Sequence, residues 1–594
     1  MRRTAALLAC VVPLLLPGAA FAVPGEASFG PGTSATTATV TASPRTATAV
    51  TTKATNPEAP IPVPPSNIPP AGRRLSANQV MAIAERLPKM EAVRREYPGS
   101  YGGAYLKPGF RWQVSYFSKN GAKEIGQVSI DDLSARVLEQ WTGYQVAWSM
   151  ARGYPGAFGR HVNSLYVWLP MCVLFLLPFW NFRRPWRLLH LDLLVLLSFS
   201  ISLAYFNHAH IYASVPLAYP PLLYLLARML ALLRRPRPGR EPDRLRLLVP
   251  AGWLAIGVVF LIGFRVALNV TDSNVVDVGY AGVIGADRIV HGRALYGGYP
   301  TDNEHGDTYG PFNYEVYVPF REAFGWSGTW DDLPASHGAA IFFDLLATGL
   351  LFLIGRRMRG PTLGVALAYA WVSFPFTLYA LESNSNDTLV AAMILAALLA
   401  ATYRRPAAGF ARGALAALAG LTKFAPMALA PLLATDALRG VPARRRPLIL
   451  ILFIVGFLGA GALAFIPAFA HDTLSVIYRR TIEYQGDRGS PFSVWGLYKL
   501  HTLLHVADGI VFGLAVLLAL IPRRDDMVGL AAGCGAIMIG VELAIEHWFY
   551  LYIPWFFPLV MIALLGRYAV PVRRSPDAAS APALSSPREA VLSS

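Results

Sequence analysis

From about residue 163 onward, apolar runs alternate with short basic stretches. A helix needs about 20 residues to cross a hydrocarbon core of about 30 Å. Runs that meet this demand lie at roughly 163–182, 188–206, 210–233, 247–269, 338–355, 361–380, 387–403, 446–469, 505–522, 527–545 and 548–568. A further apolar segment, 409–436, is broken at Thr422-Lys423-Phe424-Ala425-Pro426 and carries basic residues at both ends. It is expected to enter and leave on one side, as a helical hairpin or two short helices. The pattern predicts a mainly α, polytopic bundle of about 11–13 membrane segments.

Upstream the pattern changes three times. Residues 1–22 read as a signal peptide: Arg2 and Arg3, an apolar run from Ala5 to Leu16, then Ala20-Phe21-Ala22 as a small-x-small cleavage site. Residues 23–72 are rich in Ala, Thr, Pro and Ser, too poor in large apolar side chains to fold, and read as a disordered linker. Residues 73–150 predict a small extracytoplasmic α+β module. Ser76 is placed to cap a helix from about Ala77 through Glu96, with Val80, Ile83, Ala84, Leu87 and Met90 near helical spacing. Two strands follow, Phe110 to Phe117 and Glu124 to Ile130, joined by a Lys119-Asn120-Gly121 turn and ended by Asp131-Asp132. This helix-then-strands order resembles a PepSY-type module, which implies a regulatory or adhesive role more than a catalytic one.

Composition supports the membrane assignment. The chain of 594 residues is 54% hydrophobic and only 15% charged, where a soluble domain carries about 25% charged residues. The net charge of +16 does not point to nucleic acid. The arginines gather between apolar runs, at 183–187, 234–246, 356–359, 404–405, 444–446, 523–524 and 573–574, as cytoplasmic loops do under the positive-inside rule. The mature N-terminus is then outside, the 571–594 tail inside and disordered, and the stretches 270–337, 381–387, 470–504 and 546–547 outside. Cys10, Cys172 and Cys534 all lie in apolar runs, so the exported parts hold no disulfide framework.

Candidate chemistry follows from those outside stretches. The 270–337 loop has ten acidic residues against three arginines, with Tyr280, Tyr296, Tyr299, Tyr309, Phe312, Tyr314 and Tyr317 among them. Carboxylates accept hydrogen bonds from sugar hydroxyls, and ring faces cover the apolar face of a sugar; interfacial aromatics on a solvated loop are the plainer alternative. Asp277 precedes an amphipathic helix, Val278 to Ala294, expected to lie along the membrane surface. The helix dipole stabilises an ionised carboxylate there, as a general base requires. Position alone fits a simple N-cap better. Glu382-Ser383-Asn384-Ser385-Asn386-Asp387 is a compact polar turn between two apolar spans, able to bind hydroxyls, a metal or nothing. Arg479, Arg480 and Arg488 are basic residues on an outside loop, suited to a lipid phosphate or to a surface charge cluster. Lys423 at a helix break within apolar sequence is a functional candidate, or a lysine that snorkels to an interface. Glu542, Glu546 and His547 stand near the last hairpin. No phosphate-binding Gly-rich loop, His-Glu-x-x-His or paired Cys-x-x-Cys is present.

Residues 246–570 resemble the GT-C superfamily of membrane glycosyltransferases, most closely glycosyltransferase family 87, which includes polyprenyl-phosphate-mannose-dependent mannosyltransferases. The resemblance rests on the 247–269 span followed by an acidic loop with Asp277, on Tyr309-Gly310-Pro311-Phe312, on Asn384-Ser385-Asn386-Asp387 opening an apolar helix, and on Gly413 to Pro431 with its Lys423 break. The family tends to show Tyr-Pro-Pro and Gly-Gln-x-Asn where this chain has Tyr-Gly-Pro and Ser-Asn-Ser-Asn. The resemblance implies an inverting single displacement with Asp277 as base and Asp272 as the fallback. The substrate contacts would come from Tyr309, Glu382, Asn384, Asn386, Asp387, Lys423, Arg479, Arg480, Arg488 and His547. The implied partners are a polyprenyl-phosphate sugar donor, a glycolipid or glycan acceptor and membrane lipid. No cofactor is required by this logic, and a divalent cation is compatible with it.

The three spans within 160–245 lie outside the resemblance and read as accessory. High Ala, Arg and Gly usage suggests a GC-rich bacterium, hence its plasma membrane. Two other readings compete: a transporter or flippase for a lipid or small polar solute, which internal repeats and midplane charges would favour, and an inactive scaffold for the 73–150 module.

Overall fold

The computed structural model describes residues 60–121, 123–152, 160–235, 244–403, 405–521 and 524–568. The expected signal peptide, most of the linker and the C-terminal tail lie outside the described residues.

The N-terminal part is a five-stranded antiparallel sheet in the order β1-β2-β3-β4-β5: Ile61–Val63, Tyr101–Lys107, Arg111–Phe117, Glu124–Asp131 and Val137–Thr142. Sequence reading anticipates β3 and β4; β1, β2 and β5 are additional. The single helix expected over 77–96 is two, Ala77–Glu85 and Pro88–Glu96. Proline lacks the N–H that an interior helical residue donates, so it ends one helix and starts the next. Ser76 caps the first helix in a reciprocal capping box with Gln79. Both helices pack Val80, Ala84, Met90 and Val93 against Trp112, Val114, Tyr116, Val128 and Ile130 of the sheet. Asp132 ties the layers together, accepting from Arg74 N at 2.8 Å, Leu75 N at 3.0 Å and Trp112 Nε1 at 2.8 Å. Burial pushes its carboxyl up, but these hydrogen bonds outweigh that and hold it below the usual range.

The remainder is a multi-pass membrane bundle. Among the described residues, 7 helices are long and apolar enough to cross a membrane, or 8 if the bent pair Pro361–Ser373 and Pro375–Glu382 forms one span. Three shorter apolar helices, Leu165–Phe179, Asp387–Ala401 and Tyr550–Gly566, fall on the remaining expected runs. The broken 409–436 segment is a hairpin. Helix Pro406–Thr422 rises to Lys423, and a 3-10 turn Ala425–Leu429 and helix Ala430–Ala437 descend from it. Arg412 of the first arm reaches Asp436 of the second at 3.4 Å, which brings the two open ends together.

Two of the apolar helices that meet at the functional region are short. At 1.5 Å per residue, Pro406–Thr422 rises about 25 Å and Asp387–Ala401 about 22 Å. Both are shorter than the hydrocarbon thickness of about 30 Å. Their ends, Lys423 and Asp387, meet in a buried ion pair. The basic loops gather at the opposite end of the bundle, where Asp525 receives Arg439 at 2.8 Å and Arg235 at 3.4 Å.

Candidate functional site

Helix Asp277–Val290 is the element that organises the site. It does not lie on the surface as expected: residues 279–287 are all buried. Glycines at 279, 282 and 285 give it one bare face. A Cβ at Gly279 would stand 2.1 Å from the Asn384 carbonyl oxygen, and at Gly285 2.2 Å from the Tyr314 ring. Only a helix without side chains on that face packs so closely, so it sinks between the 311–317 segment and the 382–386 turn.

Its first residue is held from both sides. Just upstream, Asn274 N donates to Glu382 O at 3.3 Å and Val276 N to Ser383 O at 3.1 Å. Asn303 Nδ2 donates to the Asp277 carbonyl at 2.8 Å. The Asp277 carboxylate accepts from Val278 N at 2.9 Å and is otherwise exposed.

That carboxylate opens onto a small pocket of about 40 Å³ lined also by Asn303, His305, Gly306, Thr308, Tyr309, Tyr484 and Arg488. Three stretches distant in sequence build it. Tyr309 is brought in because Gly310 packs against the Leu421 backbone, where a Cβ would meet the carbonyl at 2.2 Å. Its ring is half-buried, and that burial pushes the phenol well above its ordinary value, with the Asp277 charge adding to the effect. Tyr484 stacks on His305 with ring centres 4.7 Å apart. Burial likewise raises the Tyr484 phenol and lowers the His305 imidazole. The pocket thus offers neutral tyrosines as hydrogen-bond donors and one permanent cation, Arg488. That cation forms no ion pair with any described residue. Its guanidinium instead lies 5.3 Å from the Trp148 ring centre.

The other candidates are distributed differently. Arg480 forms a two-pronged pair with Asp307 at 2.7 and 2.8 Å and donates to Glu304 O. It fastens the acidic loop to the segment Leu474–Asp487, which contains a π-helical turn at Arg479–Glu483. Arg479 is exposed on that turn. Lys423 is buried and pairs with Asp387 at 2.6 Å. Trp555 Nε1 donates to the same Asp387 oxygen at 2.9 Å, and the rings of Tyr309, Tyr552 and Trp555 surround the ammonium at 5.0–5.5 Å. This ion pair forms a floor next to the pocket, sharing Tyr309 with it.

Asn384 adopts a left-handed backbone with φ 49°, which asparagine tolerates. Its side chain bonds Ser273, Asn274 and Asn269, so it fixes the turn to the end of helix Ala251–Asp272. Asn386 donates to Asn313 at 2.6 Å. Glu382 is fully buried, with neither carboxylate oxygen hydrogen-bonded. His547 is half-buried and bonds Ser490 Oγ at 2.9 Å, and burial with the nearby Arg488 and Lys423 charges pushes its imidazole well below the ordinary value. Asp272 lies apart from the Asp277 pocket. It pairs with His161 at the rim of an apolar groove between helices Leu165–Leu176 and Ala251–Asp272. No group of three His, Cys, Asp or Glu among the described residues is arranged to hold a metal ion.

The structure therefore brings Asp277, Tyr309 and Arg488 into one pocket and sets Asp387, Lys423 and His547 around it. Sequence reasoning does not single out His305, Asn303, Tyr484 or Trp148. A histidine within the acidic loop and a tyrosine four residues before Arg488 were the available signals.

Comparison with protein-family models and with curated proteins finds no match. Among solved structures, the chain is similar to ArnT from Cupriavidus metallidurans bound to undecaprenyl phosphate, with TM-score 0.35 and 19% identity over 54% of this chain. The match spans 60% of that protein's length.

Proposed function

We propose that the protein is an integral membrane glycosyltransferase. It takes a sugar from a polyprenyl-phosphate donor and passes it, with inversion, to a glycolipid or glycan acceptor on the extracytoplasmic face of a bacterial plasma membrane. The observation that carries this reading is the pairing of functions in the pocket: an exposed carboxylate at Asp277 shares it with a cation, Arg488, that has no carboxylate partner among the described residues. Arg480 and Lys423 are already neutralised by Asp307 and Asp387, which leaves Arg488 as the charge available to a phosphate.

In this reading Asp277 accepts the proton of an acceptor hydroxyl. The hydroxyl oxygen forms a bond to the anomeric carbon as the bond from that carbon to the phosphate oxygen breaks. The electron pair leaves with the polyprenyl phosphate, whose charge Arg488 neutralises, with Tyr309 and Tyr484 as neutral donors beside it. Asp277 then loses its proton to water. Mannose, as in family 87, is the first sugar to test, followed by other hexoses and pentoses.

The test uses membranes holding equal amounts of wild type and Asp277→Asn, given radiolabelled polyprenyl-phosphate sugars and a crude glycolipid and glycan extract. Transfer by wild type, reduced at least a hundredfold in the variant, is expected from loss of a general base. Transfer that survives in Asp277→Asn keeps the enzyme class and discards the base.

A transporter or flippase is the second reading. It draws on the unpartnered buried carboxyl oxygens of Glu382 and Glu542 within membrane helices. Movement of labelled lipid or solute across sealed vesicles, with no covalent transfer, would decide for it.

A further inference from the structure

Trp148 follows the five-stranded sheet in sequence, yet its side chain belongs to the membrane bundle. The short helix Tyr144–Ala147 packs on β4 and β5. Arg152 clamps this stretch from behind, donating to Gln145 O at 2.9 Å and Val146 O at 3.3 Å with its guanidinium 5.8 Å from the Trp141 ring centre. Trp148 points the other way. It is 6% exposed and is part of the membrane-bundle core rather than of the sheet's own core. Its ring meets Phe492 at 5.3 Å and His547 at 5.4 Å, and its third neighbour is the Arg488 guanidinium at 5.3 Å.

No carboxylate among the described residues orients Arg488, so the indole face is the group that holds it toward the pocket. A half-buried arginine over a tryptophan face gains from the ring's electrostatic attraction for the cation. We infer that Trp148 is a positioning residue for Arg488, so that the sheet module is a working part of the phosphate-binding pocket rather than an appendage to it. This inference rests on the donor reading above. It also ties the module to the chemistry, since movement of the sheet against the bundle would withdraw the ring and release the guanidinium.

The experiment measures binding of undecaprenyl phosphate to the detergent-purified full chain, which requires neither the sugar nor the acceptor. The variants are Trp148→Leu, which keeps an apolar filler and removes the ring face, Trp148→Phe, which retains a weaker face, Arg488→Ala, and the double variant Trp148→Leu/Arg488→Ala. Trp148→Leu is expected to weaken binding about tenfold and Trp148→Phe less. Arg488→Ala weakens it further, and adding Trp148→Leu to Arg488→Ala changes nothing more. Unchanged binding in Trp148→Leu overturns the inference. So does a loss that adds in full to that of Arg488→Ala, because a purely structural role would act independently of the arginine. Absence of binding by the wild-type chain itself removes the donor reading and this inference together, a result distinct from either of those.

Discussion

At the scale of single residues, the division of labour among cations decides what each can do. Lys423, Arg480 and Arg488 are equivalent candidates in sequence, since each is a basic residue where few are expected. Three-dimensional pairing separates them. Asp387 lies 36 positions from Lys423 and Asp307 lies 173 from Arg480. No local pattern encodes such partnerships, so one chain read alone reveals the charges but not which are spent. The buried pair makes a sharp prediction. Lys423→Met leaves the Asp387 carboxylate, 1% exposed, with only Trp555 as donor, and should cost about 3–5 kcal/mol. Replacing the carboxylate as well, in Lys423→Met/Asp387→Asn, should restore most of that loss, because the amide still accepts from Trp555 and carries no charge. Thermal unfolding of the two variants in detergent measures this; equal destabilisation in both would mean that packing, not stranded charge, dominates at the hairpin tip.

At the scale of elements, periodicity finds helices more readily than it finds their setting. The run 278–294 reads as an amphipathic surface helix because its polar residues recur on one side. Gly279, Gly282 and Gly285 repeat every three residues on the same helix, and they turn it into a wedge with buried surfaces all round. The glycine spacing was visible; what it packs against was not. The same holds for Pro88, a legible break that splits one expected helix into two, and for β2, whose Gly102 and Gly103 mask its strand character. The wedge makes Gly279 sensitive. An added methyl would meet the Asn384 carbonyl and Ser336 Oγ, at 2.1 and 2.6 Å, and must push the helix off the turn that fixes Asp277. Gly279→Ala should therefore destabilise by about 1–3 kcal/mol and reduce sugar transfer. Gly263→Ala, on a span where a Cβ meets nothing within 4 Å, should leave both unchanged or slightly improve stability. Equal effects of the two substitutions on transfer would show that helix placement does not control the carboxylate.

At the scale of the whole molecule, the charge pattern that defines the membrane topology also defines where the chemistry can occur. The order of apolar runs was legible because hydrocarbon imposes a length and a composition on each span. The short runs 387–403 and 409–436 were legible as apolar, but the meeting of their ends at the Lys423–Asp387 pair was not, since it follows from packing rather than from hydropathy. The arginine clusters predict the sidedness: because such clusters resist translocation, the loops rich in arginine are expected inside and the acidic 270–337 loop outside. Glu304 is exposed on that loop and Arg445 is exposed among the basic loops, so cysteines at these two positions report opposite faces. In intact cells, a membrane-impermeant maleimide should label Glu304→Cys and leave Arg445→Cys unlabelled, with both labelled after permeabilisation. The reverse pattern would put the Asp277 pocket in the cytoplasm. A lipid-linked donor would then lose its rationale, because soluble activated sugars would reach the same carboxylate directly.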